Sequence, residues 1–210
     1  MFNANSALLI IDVQNDFLPG GALAVGQGDQ VIPIINQVAK FFVNIALTQD
    51  WHPSDHISFA HHHEGKNPFE TITLAYGEQT LWPGHCVQGT HGAALADGLQ
   101  IEGAQVIIRK GYNPSVDSYS AFLEADKKLS TGLAGYLRER SIRQLYLCGL
   151  ATDYCVAWSA LDGKSLGFDV TVIEDATRAI DLNGSLAQAW LEMERAGVNR
   201  VQSKDLLNIL

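Results

Sequence analysis

Basic residues are scarce in this 210-residue chain. Fourteen lysines and arginines stand against 23 aspartates and glutamates, a formal net charge of −9. That balance excludes nucleic acid and anionic membrane surfaces as principal partners, because both demand a cationic face. Long apolar runs are missing as well: none approaches the roughly 18 residues of a membrane span. The N-terminal residues lack the basic flank and cleavage pattern of a secretory leader. Cysteine is limited to three residues, an odd number with no C-x-x-C pair. This argues against a disulfide framework and for a reducing, cytoplasmic setting. There are no internal repeats and no low-complexity tract.

What remains is ordinary globular material, 47% hydrophobic and 18% charged, enough for a sizeable core. The length suits one domain, residues 1–210, with a long excursion at about 51–88. Residues 6–12 form an uninterrupted apolar run stopped by Asp12, the pattern of a strand buried on both faces. Apolar residues then recur at helical spacing over 30–42, with Asp29 as a candidate cap. A second strand over 43–48 runs into Gln49-Asp50-Trp51-His52-Pro53. From there to about Gly89 no period is evident, and so long an irregular segment in a compact domain generally has a function. The spacing predicts a short helix over 91–99, a strand over 104–109 ending at Lys110, and a helix over 133–140. It further predicts strands over 144–148, 169–173 and 198–201 and a helix over 185–196. Alternating strands and helices predict an α/β fold, three layers around a parallel sheet.

The stretch Tyr146–Ala157 organises the rest. An apolar strand is broken by Gly149, and Thr152 or Asp153 can cap a following helix that carries Cys155 in its first turn. Backbone N–H groups there stabilise a thiolate, so the Cys155 pKa is expected to fall, and they can hold an oxyanion. Strand ends also present Asp12, Asp50 with His52, and Lys110. Ligands of open parallel sheets bind outside the carboxyl ends of the strands. Singly, each residue has a structural explanation: a buried cysteine, a loop-bonding carboxylate, a solvated ammonium. Converging, they supply a nucleophile, a base and a positive group. Asp50 and His52 offer oxygen and imidazole ligands two residues apart, and His85 adds a third from the excursion. Three ligands with open positions suit a catalytic divalent metal. His61, His62 and His63 diverge in direction and read as a solvated loop.

The motifs Asp12-Val-Gln-Asn-Asp-Phe17, Gln49-Asp-Trp-His-Pro53, Trp82-Pro-Gly-His-Cys86, Lys110-Gly111 and Gly149-Leu-Ala-Thr-Asp-Tyr-Cys155 together span essentially the whole chain. In this order and spacing the set resembles the bacterial nicotinamidases and pyrazinamidases of the isochorismatase-like cysteine hydrolases. The resemblance implies a six-stranded parallel sheet and a catalytic triad of Asp12, Lys110 and Cys155. It implies one divalent metal, zinc, iron or manganese, on Asp50, His52 and His85, with either His56 or Ser58 in the region of a further ligand. It also implies a cis peptide at Leu150–Ala151, an oxyanion hole of the Ala151 and Cys155 N–H groups, and Phe17, Trp82 and Tyr119 around the substrate ring. The implied reaction hydrolyses nicotinamide to nicotinate and ammonia, with pyrazinamide as a second substrate. The alternative is a related amidase acting on a carbamoyl or ureido compound. The partner expected is the small-molecule substrate, with a homo-oligomer left open.

Overall fold

Runs of apolar residues pair laterally because buried backbone N–H and C=O groups need partners, and here they do so in one parallel sheet. The computed structural model describes residues 2–100 and 102–207. In chain order its strands are β1 (Ser6–Ile11), β2 (Asn44–Asp50), β3 (Thr71–Leu74), β4 (Gly77–Thr80), β5 (Val106–Lys110), β6 (Gln144–Leu150), β7 (Asp169–Arg178) and β8 (Asn199–Val201). The helices are α1 (Val31–Ala39), α2 (Leu133–Glu139), α3 (Ala157–Ser165), α4 (Ser185–Arg195) and α5 (Ser203–Leu207). Six strands form the main sheet in the order β5-β2-β1-β6-β7-β8, with parallel pairing throughout.

Every residue of β1 is buried, which explains its unbroken apolar run. Leu8, Ile10 and Leu47 pack on one face against Val31, Ile35 and Val38 of α1. Leu9, Ile11, Leu145 and Leu147 pack on the other against Leu137 of α2, Ala160 of α3 and Met193 of α4. The result is the three-layer α/β/α arrangement expected. Strands β2 and β5 build outward from one side of β1, and β6 to β8 from the other. The topology therefore reverses between β1 and β6, where a crevice opens at the carboxyl ends. Among the described residues no helix is long and apolar enough to cross a membrane.

The helix expected over residues 91–99 does not form; the segment is a series of turns. Its carbonyls serve a neighbour instead: Ala94 and Gly92 accept the Asn15 and Asp16 N–H groups. The Ala93 carbonyl accepts both the Gln14 and Gln49 carboxamides. The excursion contains an antiparallel hairpin, β3 with β4, that no period announced. Its strands are four residues each and half-exposed, too short for alternation to register. Strand β7 runs to Arg178 rather than stopping at 173, because pairing with β6 resumes at Gly149↔Thr177 after an irregularity.

Candidate active site

Asp12 leaves β1 with a positive φ of 46°, a turn that carries its side chain under the sheet edge. Thr48 on the adjacent strand fixes it twice. The Asp12 N–H donates to Thr48 Oγ1 at 3.2 Å, and the Thr48 hydroxyl donates to Asp12 Oδ1 at 2.6 Å. Gly149 permits β6 to lie against this turn: at its φ of 110° a Cβ would sit 2.0 Å from the Ile11 carbonyl oxygen. Beyond Asp12 the β1–β2 ladder ends, and Gln14 replaces it. The Gln14 Oε1 accepts the Asp50 N–H at 2.8 Å while its Nε2 donates to the Asp50 carbonyl at 2.8 Å. A carboxamide thus acts as a strand partner for the residue that ends β2.

Lys110, completely buried, is the hub. Its Nζ lies 2.9 Å from Asp12 Oδ2, donates to Asp50 Oδ1 and to the Ser118 carbonyl at 2.9 Å, and stands 3.4 Å from Cys155 Sγ. Two carboxylates around one ammonium are driven apart. Burial raises the Asp12 pKa, and the repulsion of Asp50 adds to this against the pull of Lys110; the net direction is up. For Asp50 burial also works upward, but Lys110, His52 and His85 outweigh it and hold the carboxylate far below the usual range. The Lys110 ammonium is strengthened by Asp12 and Asp50 despite burial. One carboxylate stays firmly ionised and the other is poised to take a proton. Asp12 Oδ2 is held by the Lys110 ion pair alone and takes no further hydrogen bond, which leaves it capacity to accept a proton beside the sulfur.

Cys155 sits in a five-residue π-turn, Thr152–Val156, that leads into α3. Neither Thr152 nor Asp153 caps this turn; Ala151 holds the N-cap position with no side-chain bond. The Asp153 carboxylate instead accepts the Ile180 and Asp181 N–H groups at 3.1 and 2.8 Å, and the Ser185 hydroxyl. The Cys155 pKa rises rather than falls. Burial pushes the thiol up, Lys110 opposes, and Asp12 and Asp50 add to the burial. Desolvation and two carboxylates outweigh one ammonium and the turn's N–H groups, so the resting group is a neutral thiol beside Asp12. The Leu150–Ala151 peptide is cis.

Asp50, His52 and His85 form a buried group whose potential ligand atoms all lie within 4.8 Å of one another. Their orientation fits a cation. His52 Nδ1 donates to the Gly111 carbonyl at 2.9 Å, and His85 Nδ1 donates to the Pro83 carbonyl at 2.9 Å. Each bond fixes the ring so that Nε2 offers its lone pair, as in metal sites with an outer shell. Those Nε2 atoms stand 3.5 and 4.0 Å from Asp50 Oδ2. Gly111 (φ 67°) allows the approach, since a Cβ there would be 2.4 Å from the His52 ring. Burial holds the His85 pKa down to about 4, keeping the imidazole neutral. Beside them His56 Nδ1 and Ser58 Oγ bond to each other at 2.7 Å. His62 and His63 donate to the backbone carbonyls of Ser54 and Ile57.

A narrow cavity joins the two clusters. Its wall includes Cys155, Ala151, Asp50, His52 and His85 together with Phe17, Trp82 and Tyr119. Asp12 and Lys110 lie behind Cys155 and are not part of the lining. Tyr119 acts as a strut in this wall: its hydroxyl accepts Trp82 Nε1 at 3.0 Å and Gln79 Nε2 at 3.1 Å. Tyr154, Leu23, Ile180 and Asp117 also line the cavity and escaped the sequence reading. Tyr154 immediately precedes Cys155, and its ring meets Trp82 edge-on at 4.9 Å. Asp117 carried no signal of its own. Thr48 and Gln14 were missed because their role depends on the neighbouring strand.

The family described as the isochorismatase domain matches residues 6–205. The chain is 57% identical to the nicotinamidase of Acinetobacter baylyi over 203 residues, 97% of this chain and 95% of that one. The structure of the Acinetobacter baumanii nicotinamidase/pyrazinamidase superposes with a TM-score of 0.97 at 59% identity, covering 98% of this chain and 100% of the other. A pyrazinamidase of Pyrococcus horikoshii in complex with zinc superposes with a TM-score of 0.76 at 38% identity, covering 94% and 99%.

Proposed function

This chain belongs to the isochorismatase family, and from that premise we propose that it is a metal-containing cysteine amidohydrolase that converts nicotinamide and water to nicotinate and ammonia, and also accepts pyrazinamide. One observation carries the reading: a buried thiol at the wall of a cavity that a metal-ligand triad shares is backed, just behind the wall, by a carboxylate and an ammonium. High identity to a full-length nicotinamidase supports the choice of substrate.

Cys155 Sγ attacks the carboxamide carbon, forming the S–C bond as its proton passes to Asp12 Oδ2. Lys110 stabilises the sulfur's developing negative charge and keeps Asp12 from being protonated too early. The Ala151 and Cys155 N–H groups face the oxyanion, the contribution that lowers acyl-transfer barriers most. Asp12 then returns the proton to the amide nitrogen, the C–N bond breaks and ammonia leaves. Water adds to the thioester with Asp12 taking its proton, the C–S bond breaks, and the sulfur is reprotonated as nicotinate departs. Phe17 and Trp82 flank the ring and exclude water. Asp50, His52 and His85 would hold a divalent cation (zinc, iron or manganese) whose Lewis acidity there binds and orients the ring nitrogen.

The test is ammonia release from nicotinamide by the purified, metal-loaded protein. Stoichiometric nicotinate and ammonia are expected. Absence of both, with a ureido compound hydrolysed instead, would overturn the assignment.

A further inference from the structure

The turn that presents the nucleophile also holds a wall of the cavity. Asp153 lies two residues before Cys155, is buried, and spends its carboxylate outside its own helix. Oδ1 accepts the Ile180 N–H at 3.1 Å, and Oδ2 accepts the Asp181 N–H at 2.8 Å together with the Ser185 hydroxyl. The two N–H donors lie in the connection from β7 to α4 and the hydroxyl on the first residue of α4, and Ile180 lines the cavity together with Cys155. The connection turns twice through the left-handed region, at Asp181 and Asn183 with φ of 55° and 53°, a conformation that aspartate and asparagine adopt more readily than other non-glycine residues. A segment of that kind keeps one conformation only when something outside it fixes it.

We propose that Asp153 is a positioning residue that clasps the 179–185 connection, so that Ile180 closes the substrate cavity at a distance set by the Cys155 turn. Nucleophile and apolar wall are thereby built on one frame, and substrate width is gauged against the sulfur that attacks it. The proposal rests on the reading of this cavity as the amide site. An aspartate suits the task because both of its oxygens accept. In an asparagine the NH2 group must face a donor, which leaves one N–H or hydroxyl unpaired.

Asp153→Asn is compared with wild type in the metal-loaded protein. KM for nicotinamide is expected to rise about tenfold, the factor for one lost charge-assisted hydrogen bond, while kcat changes by less than about threefold. Alkylation at Cys155, read on the peptide by mass spectrometry, supplies a readout that needs no turnover. N-phenylmaleimide, an aromatic reagent, should gain severalfold over iodoacetamide as the wall loosens. Equal acceleration or slowing of both reagents would mean that the Cys155 turn itself had moved, and would overturn the clasp. So would an unchanged KM with an unchanged reagent ratio. Ser185→Ala deletes one donor and should shift both readouts the same way by about twofold; if Asp153→Asn does not fold, a Ser185→Ala protein indistinguishable from wild type refutes the proposal. Should wild type release no ammonia from nicotinamide, the functional reading fails, while the reagent ratio still judges the clasp.

Discussion

The two halves of the site are held by different means. Asp12, Asp50, Lys110 and Cys155 ride on or beside strands β1, β2, β5 and β6, whose neighbours are paired in one continuous ladder. Trp82 and His85 follow the hairpin, and Asp117 and Tyr119 come from the connection between β5 and α2. That half is joined to the rest by isolated bridges such as His52↔Val87 and Phe59↔Trp82 and by side-chain bonds through Gln79 and Tyr119. Atoms that exchange protons need placement within a fraction of an ångström, and a ladder supplies it. Groups that surround a ring must admit and release it, and scattered bonds allow that.

The largest effect is expected from deleting the proposed nucleophile in the rigid half. Cys155→Ala should lower turnover by at least about 10⁴-fold while circular dichroism and metal content stay as in wild type. Cys148→Ala, a change in the sheet core where burial alone raises the thiol, should keep activity largely intact. Appreciable turnover by Cys155→Ala would shift the chemistry to the other half.

Asp12→Asn should reduce kcat by roughly 10²–10⁴-fold, since nothing remains to carry the proton to ammonia. Yet it removes a negative neighbour, so the Cys155 thiol pKa should fall, and the pH profile of iodoacetamide alkylation should move to lower pH. Lys110→Ala should move that profile the opposite way. It also leaves two buried carboxylates facing each other, at a cost of roughly 3–5 kcal/mol in stability. Profiles shifting in the same direction would contradict the opposed electrostatics of the hub.

Removing metal probes the looser half. Chelation should abolish or greatly weaken substrate binding, and hydrogen exchange should quicken over residues 51–88 far more than in β1 and β6. Full affinity in stripped protein would show that the three ligands do not serve binding.

The pH dependence of the stripped protein is smaller and has a definite sign. Burial holds the His56 and His85 pKa values down to about 4, against about 6.5 unfolded. Between those values the unfolded chain binds more protons, so each histidine's contribution is present above pH 6.5 and lost as pH falls toward 4. The slope is up to about 1.4 kcal/mol per pH unit for each. Asp12, shifted upward, offsets part of it. His52 is shifted up by Asp50 and acts only above pH 6.5, outside this window. Thermal midpoints should therefore decline from pH 6.5 to 4.5, and a flat profile would contradict two neutral buried imidazoles.

The least effect is expected from Thr48→Val. It removes the hydroxyl that supports Asp12 Oδ1 and should cost about 1 kcal/mol in stability. With a bond to its ionised form gone, Asp12 should titrate higher, moving the acid limb of kcat/KM to higher pH. An unmoved limb would mean that Asp12 does not govern it.

Much of this arrangement was readable from residue order. Apolar runs over 6–12, 43–48 and 144–148 announce strands because a strand buried on both faces has no polar side, and a parallel sheet puts every strand's carboxyl end at one edge. That suffices to bring Asp12, Asp50 and Cys155 together, and the strand over 104–109 adds Lys110. Local spacing could not announce the half-exposed hairpin, nor the turns over 91–99, whose apolar residues mimic a helix while their carbonyls are taken by the 14–16 loop and Gln49. The tertiary structure alone decided that Lys110 bridges both carboxylates, that Asp153 turns away from its own helix, and that the Cys155 thiol is raised. Each of these depends on distances between atoms far apart in sequence and on how completely water is excluded around them. Periodicity carries neither quantity, whereas Coulomb energy and desolvation depend on nothing else.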